Sequence, residues 1–277
     1  MPIDHLVSPA LKHVREDWWD DDFTEFLAER LRPRPGNRIL DVGCGEGLAE
    51  VAIGRLHLSQ VQLVAVDESA AKVQQARQET LSHNQRVAFA AADAVRLPFA
   101  SGSFDSTYCV AVLQYVADIE AAVAELARVT RPNGRVVVVE PDNATRFAYS
   151  STGSGVRTFE AARSLFAALP PGRPGIDARV GPTMPERFIR NGIEPVEVRV
   201  FPVVQSYIGV PPDEVWALRR TAMTRAVGMA ASPPSDGADS YFELLAAYEQ
   251  EARAAGASFV EIQSSLLFAT VGQRVGN

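Results

Sequence analysis

Ile39-Leu40-Asp41-Val42-Gly43-Cys44-Gly45-Glu46-Gly47 is a short apolar run that ends in three alternating glycines. It opens at once into Leu48, Val51, Ala52 and Leu56 at helical spacing. The run reads as a buried strand and the apolar stripe after it as a helix. Glycines in the turn let the backbone approach a ligand closely and are expected to leave helix N-terminal amides free for a negative group. A strand, a glycine turn and a helix in that order begin a βαβ unit, which decides for an α/β fold. The glycines run G-x-G-x-G, whereas the dinucleotide fingerprint has G-x-G-x-x-G, and Leu48 stands where its last glycine belongs. An acid, Asp41, lies two positions before the first glycine.

Outward from this stretch, short apolar runs alternate with amphipathic ones as far as Glu140. Strands are expected at residues 38–42, 62–67, 87–92, 104–110 and 135–140. Ser69 is placed to cap a helix through Val73, Ala76 and Leu81, and Asp118 another through Val123, Leu126 and Val129, stopped by Pro132 and Gly134. Parallel strands with crossover helices put a ligand at the carboxyl ends of the strands. Beyond Glu140 the texture changes, for 12 of the 18 prolines lie there and the alternation is lost. A helix over residues 183–191 and strands over 195–203 and 263–271 resume the core. Helical segments around residues 215–227 and 241–255, separated by a loop at Pro233 to Gly237, read as additions to it.

The chain of 277 residues is 47% hydrophobic and 22% charged, enough for a folded core without a disorder signature. Its 27 basic against 34 acidic residues give a net charge of −7, without the basic excess that neutralises a phosphate backbone. Cys44 and Cys109 supply neither a disulfide framework nor metal-ligand spacing. No signal pattern opens the sequence and no apolar run approaches the ~20 residues of a membrane span. The expectation is a cytoplasmic protein acting on a small-molecule acceptor, away from nucleic acid and membrane, alone or as a homodimer.

The glycine stretch with its acid resembles motif I of the class I S-adenosylmethionine-dependent methyltransferases. Asp67, 26 residues after Asp41, ends the second expected strand, and Asp93 the third. Ser103-Phe104-Asp105 leading into Val112-Leu113-Gln114-Tyr115-Val116, and Arg128 to Arg135 followed by Val136 to Glu140, are similar to the later motifs of small-molecule members, including the quinone-biosynthesis C-methyltransferases. The match covers residues 37–140 in register. It implies a Rossmann-like, seven-stranded, doubly wound sheet whose last strand is antiparallel and inserted between neighbours, with helical cap or lid insertions. The organisation implied is a lid at 1–31, a cofactor-binding core at 32–140, an insertion at 141–180, core again at 181–204, a helical cap at 205–256 and the final core strand at 257–277.

The resemblance also implies S-adenosylmethionine as cofactor, held by Asp41, Gly43, Cys44, Gly45, Asp67, Glu68, Asp93, Ala94 and Val110. In it Asp67 accepts from both ribose hydroxyls, as a carboxylate can, Asp93 takes the adenine amino group, and the Ala94 amide faces the ring. His13, Tyr115 and Glu140 are the expected catalytic groups, with Gln114 and Asp142 orienting. Aromatic residues of the lid-like segments, Trp18, Trp19, Phe147, Tyr149, Phe166, Tyr207, Trp216 and Tyr241, suit an aromatic or indole-type acceptor. Transfer to carbon, nitrogen or oxygen is left open. The alternatives are a non-catalytic cofactor-binding protein and a metal-assisted O-methyltransferase using Asp142 and Asn143, for which no acid ends the fourth strand to complete a ligand set. A resident metal is not expected. Base methylation of DNA is disfavoured, because Cys109-Val110-Ala111-Val112 stands where an Asn/Asp-Pro-Pro-aromatic loop would be.

Overall fold

A computed structural model describes residues 18–55, 61–83, 86–167, 179–228 and 235–276. His5, His13, His57, Leu56, Pro233 and Pro234 lie outside them, while residues 235–237 of the expected loop are helical. Two compact units divide the chain: residues 1–143, 177–201 and 266–277 form the first, and residues 144–176 and 202–265 the second.

The first unit is built on strands β1 (Arg38–Val42), β2 (Gln62–Asp67), β3 (Val87–Ala91), β4 (Phe104–Val110), β5 (Thr130–Ser150), β6 (Ile193–Ile208) and β7 (Val260–Arg274). They form one seven-stranded sheet in the order β3-β2-β1-β4-β5-β7-β6, with β7 inserted between β5 and β6. β1 pairs in parallel with β2 and β4, β2 with β3, and β4 with β5. The chain winds outward from β1 to β3, then returns to start β4 on the other side of β1, so the gap between β1 and β4 is the switch point where such sheets bind ligands. Val136, Val137, Val138 and Val139 of β5 are all fully buried. A strand covered on both faces has no polar side to alternate with, which is why this run is continuously apolar.

Helices α1 (Asp21–Leu31), α2 (Leu48–Gly54), α3 (Ala70–Ser82), α4 (Ile119–Val129) and α6 (Val180–Arg190) belong to this unit, and α5 (Gly153–Ala167), α7 (Asp213–Gly228) and α8 (Ser235–Ala255) to the second. The expected caps form: Ser69 Oγ accepts from the Lys72 amide at 3.3 Å, and Asp118 Oδ1 from the Ala121 amide at 2.9 Å. α4 buries Val123, Leu126 and Val129 on the sheet, each contributing roughly 1.5–3 kcal/mol by its burial. Asp20 caps α1, its Oδ1 accepting from the Phe23 amide at 2.8 Å.

Three expectations are corrected. Residues 21–31, assigned to a lid, form a layer of the first unit: Phe23 and Phe26 meet Phe201 edge-on at 5.1 and 5.0 Å, and Ser106 of β4 donates to the Leu31 carbonyl at 2.7 Å. Strands β5, β6 and β7 outrun their expected bounds of 135–140, 195–203 and 263–271, because their alternation continues into the second unit. β6 carries Pro195 and Pro202 inside this length, which an edge strand tolerates. Trp216 and Tyr241, suggested for an acceptor pocket, are core residues of the second unit, packed with Leu245, Tyr248 and Phe259. The Trp216 indole is satisfied by the Pro211 carbonyl at 3.1 Å. Phe147 and Tyr149 are exposed by contrast.

Candidate functional site

The five parallel strands bring their carboxyl ends together, and with them the residues singled out in the sequence. Gly43, Gly45 and Gly47 all have positive φ, at 86°, 56° and 90°. A Cβ on Gly43 would lie 2.3 Å from Val112, so the loop packs directly on the segment that follows β4. Gly45 differs: a Cβ there would meet nothing within 4 Å, so the outer face of the loop at this point is open.

Four amides of the turn itself are engaged within the protein. Gly43 and Cys44 donate to the Val66 carbonyl at 2.7 and 3.0 Å, Gly47 to the Cys44 carbonyl at 3.0 Å, and Gly45 to Asp67 Oδ2 at 2.9 Å. Asp67 Oδ1 accepts from the Ser69 amide at 2.9 Å. Asp67 therefore ties the end of β2 to the glycine loop, while a carboxylate with two lone pairs on each oxygen keeps room for a diol. Glu68 is exposed beside it. Asp93 is exposed past the end of β3, its Oδ1 accepting from the Val95 amide at 3.0 Å, and Ala94 packs against the main core. Val110 ends β4, and Ala111 follows it with φ 55°.

Asp41 is corrected from ligand contact to buried support, since it is only 2% exposed. With it sit two residues that the sequence reading missed, Glu50 of α2 and Tyr108 of β4, both fully buried. Burial pushes the Glu50 carboxyl up to about 7, against the lowering influence of the neighbouring Asp41 carboxyl. Burial likewise raises Asp41 well above the usual range, and Glu50 adds to this. The Tyr108 phenol is raised by burial and then by Asp41. Two acids enclosed without a cation cannot both ionise, so a proton is retained beneath the loop at neutral pH. The signal available in the sequence was an acid inside the apolar stretch Leu48 to Ile53. Cys44 and Cys109 are buried thiols whose pKa burial drives up, which makes them inert.

Glu140 is also reassigned. It is fully buried, and its Oε1 accepts from the amides of Val112 at 2.7 Å and Leu113 at 2.6 Å. It fixes the segment after β4 against Gly43, so it is a positioning residue. Tyr115 stays half-buried on the short 3-10 turn Leu113–Tyr115, with Gln114 buried beside it. Asp142 is buried near the end of the first unit. His13 lies outside the described residues. Among the described residues no group of three or more His, Cys, Asp or Glu side chains is placed to hold a metal, and no helix is long and apolar enough to cross a membrane.

A sequence profile described as a methyltransferase domain matches residues 40–138. An O-methyltransferase of Pyrenophora dematioidea is 36% identical over 114 residues, 41% of this chain and 43% of that protein. The 27-O-demethylrifamycin SV methyltransferase of Amycolatopsis mediterranei is 32% identical over 148 residues, 49% of this chain and 53% of that protein. The demethylmenaquinone methyltransferase of Beutenbergia cavernae is 38% identical over 112 residues, 40% and 44% of the two chains. The chain thus spans about half the length of the curated relatives it matches. Among solved structures, the YcgJ protein of Bacillus subtilis superposes with a TM-score of 0.57 at 19% identity, over 92% of this chain and 98% of that one, a likeness of fold. Residues 40–138 are accordingly similar to a methyltransferase domain, and the fold that carries them is the Rossmann-like one of its structural neighbours.

Proposed function

We infer that this chain transfers the methyl group of S-adenosylmethionine to a hydroxyl oxygen of a small aromatic natural product. The observation that carries the reading is the open face of Gly45 with Asp67 bonded to its amide, at the switch point of the sheet. A ligand there meets backbone at close range and a carboxylate suited to a vicinal diol, as the nucleoside half of that cofactor requires. Asp93, the Ala94 amide and Val110 stand at the neighbouring strand ends for its base. When bound, the cofactor supplies a methyl already activated on a sulfonium.

This chain's own residues then position the acceptor, exclude water and accept a hydroxyl proton. Tyr115, on the turn that Glu140 fixes, is the described candidate for contact with the acceptor. His13 is the candidate from residues 1–17. Phe147 and Tyr149 of the second unit expose aromatic surface. Oxygen is favoured because relatives over the matched region are named as O-methyltransferases; the demethylmenaquinone enzyme keeps carbon as the second reading.

Titration with S-adenosylhomocysteine and NADH tests the cofactor, and a labelled-methyl assay across phenolic and indolic pools tests turnover. Binding of the first and not the second, with label in an alkali-stable methyl ether, is expected. NADH binding overturns the cofactor assignment. Cofactor binding without transfer to any pool leaves a non-catalytic binder, and turnover abolished by EDTA establishes the metal-assisted alternative.

A further inference from the structure

The opposite edge of the same unit holds a feature that methyl transfer does not use. A cavity of about 170 Å³ is lined by Arg32, Arg34, Arg131 and Arg135, with Asn37, Asp105 and Asn133 among its other walls. These residues come from the turn before β1 and from the first residues of β4 and β5, so the cavity lies at the amino ends of the central strands. In a protein of net charge −7 it gathers four guanidinium groups against one carboxylate.

That carboxylate is already engaged, since Asp105 Oδ2 accepts from the Arg38 amide at 2.8 Å and Oδ1 pairs with Arg131 Nε at 2.9 Å. Among the described residues Arg32, Arg34 and Arg135 have no ion-pair partner. Arg135 is only 8% exposed, and its Nη1 is buried without a hydrogen-bond partner. Burial, then the positive charges of Arg32 and Arg30, lower its pKa. Arg30 itself is spent on Glu197 and Glu29. An uncompensated buried cation is costly, by several kcal/mol on general grounds.

The backbone is strained at the same place. Of three non-glycine residues with positive φ among those described, two line this cavity, Arg32 at 49° and Asn133 at 62°. Arg32 ends α1 in a left-handed conformation that glycine would adopt freely, so the position keeps a guanidinium at the expense of backbone ease. Gly134 is also constrained, for a Cβ there would lie 2.6 Å from the Asp105 carbonyl oxygen. Unpaired guanidinium forks, amide side chains and strain converge on one small concave site.

We propose that this cavity binds the phosphoryl group of a small metabolite. A dianionic phosphoryl oxygen set matches the planar, bidentate donors of arginine and would neutralise the surplus charge. The volume is ample for a phosphoryl group on a small organic body, being room for on the order of ten waters. The full chain is titrated calorimetrically with inorganic phosphate and with glycerol phosphate, at ionic strength held constant with chloride. Saturable binding with a Kd of roughly 1 mM or tighter is expected for at least one of them. Tighter binding of the ester marks a metabolite as the source, and tighter binding of phosphate marks the free ion.

Arg34→Ala and Arg131→Ala each weaken that binding about tenfold, as loss of one charge-assisted contact does, while the affinity for S-adenosylhomocysteine is unchanged. Both side chains are exposed, so the variants keep the fold, and Arg135→Met with a melting control adds the buried member. No saturable binding, binding that survives in the Arg34→Ala/Arg131→Ala double variant, or displacement of phosphate by S-adenosylhomocysteine overturns the proposal.

Discussion

Replacing Glu50 by glutamine tests whether the glycine loop rests on a protonated acid pair. Glu50 is fully buried on α2, neither of its oxygens meets a donor within ordinary hydrogen-bond length, and its polar neighbour is Asp41. Its carboxyl is pushed from 4.5 to about 7 in the folded chain. Between those values the folded state holds a proton that the unfolded state has released. Stability from this group is therefore full below about pH 4.5 and is lost as pH rises through about 7. At 1.36 kcal/mol per unit, the wild type loses about 3 kcal/mol across that window.

Glutamine mimics the protonated form at every pH, so Glu50→Gln should match the wild type near pH 4.5 and exceed it by about 3 kcal/mol above pH 8. The assay is denaturant unfolding followed by tryptophan fluorescence, because Trp18 and Trp19 belong to the first unit and Trp19 packs on Phe23 at 5.0 Å. The rest of the chain is common to both proteins, so the difference between the two curves reports the Asp41–Glu50 pair. Parallel curves from about pH 5 to 8 would refute the shared-proton account.

Asp67→Ala should weaken S-adenosylhomocysteine binding by about 1.5–3 kcal/mol in calorimetry, and it should also speed hydrogen exchange at the Gly45 and Ser69 amides, which lose their acceptor. Unchanged affinity would remove Asp67 from the site. Gly43→Ala should fold poorly, since its Cβ meets Val112 at 2.3 Å, whereas Gly45→Val should fold with about 1–2 kcal/mol of backbone strain and bind no cofactor. Melting and calorimetry separate the two, and normal binding by Gly45→Val would make the loop a mere turn. Glu140→Ala should lower stability by about 3 kcal/mol through two lost charge-assisted bonds. Glu140→Gln keeps an acceptor and should retain most turnover, an outcome that a general base at this position forbids. Deleting residues 1–17, which carry His13, should lower turnover far more than the melting temperature; full turnover would clear His13 of any role.

The strands 38–42 and 62–67 were legible to the residue because each is a short apolar run closed by a glycine or an acid, and 104–110 also keeps its expected bounds. The ends of β5, β6 and β7 were not, for strand alternation carries no mark where one compact unit gives way to another. Sequence pattern placed Asp67, Asp93 and the glycines at one edge through parallel pairing alone. It misjudged Asp41 and Glu140, because a motif acid that faces a ligand and one that holds the backbone behind it have the same spacing. Only burial and hydrogen bonds separate them: Glu140 serves two amides, and Asp41 faces Glu50. The aromatic residues failed for a related reason. Trp216 and Tyr241 look like pocket lining in a cap until the cap proves to need a core of its own.

The way the glycine loop spends its amides bears on which ligand it can take. A pyrophosphate site needs free N–H groups and a helix long enough to present a dipole. Here Gly43, Cys44, Gly45 and Gly47 all donate within the protein, and α2 is 7 residues long. Asp67, a carboxylate that would repel phosphate, is bonded to the loop, and Asp41 and Glu50 share a retained proton beneath it. A nucleoside carrying a cationic sulfonium and no phosphate meets none of these obstacles. On the proposed reading, close backbone would admit it and the Asp67 carboxylate would hold its diol. The missing glycine at Leu48 and the spent amides are then two expressions of one choice of ligand, the first visible in spacing and the second only in hydrogen bonds.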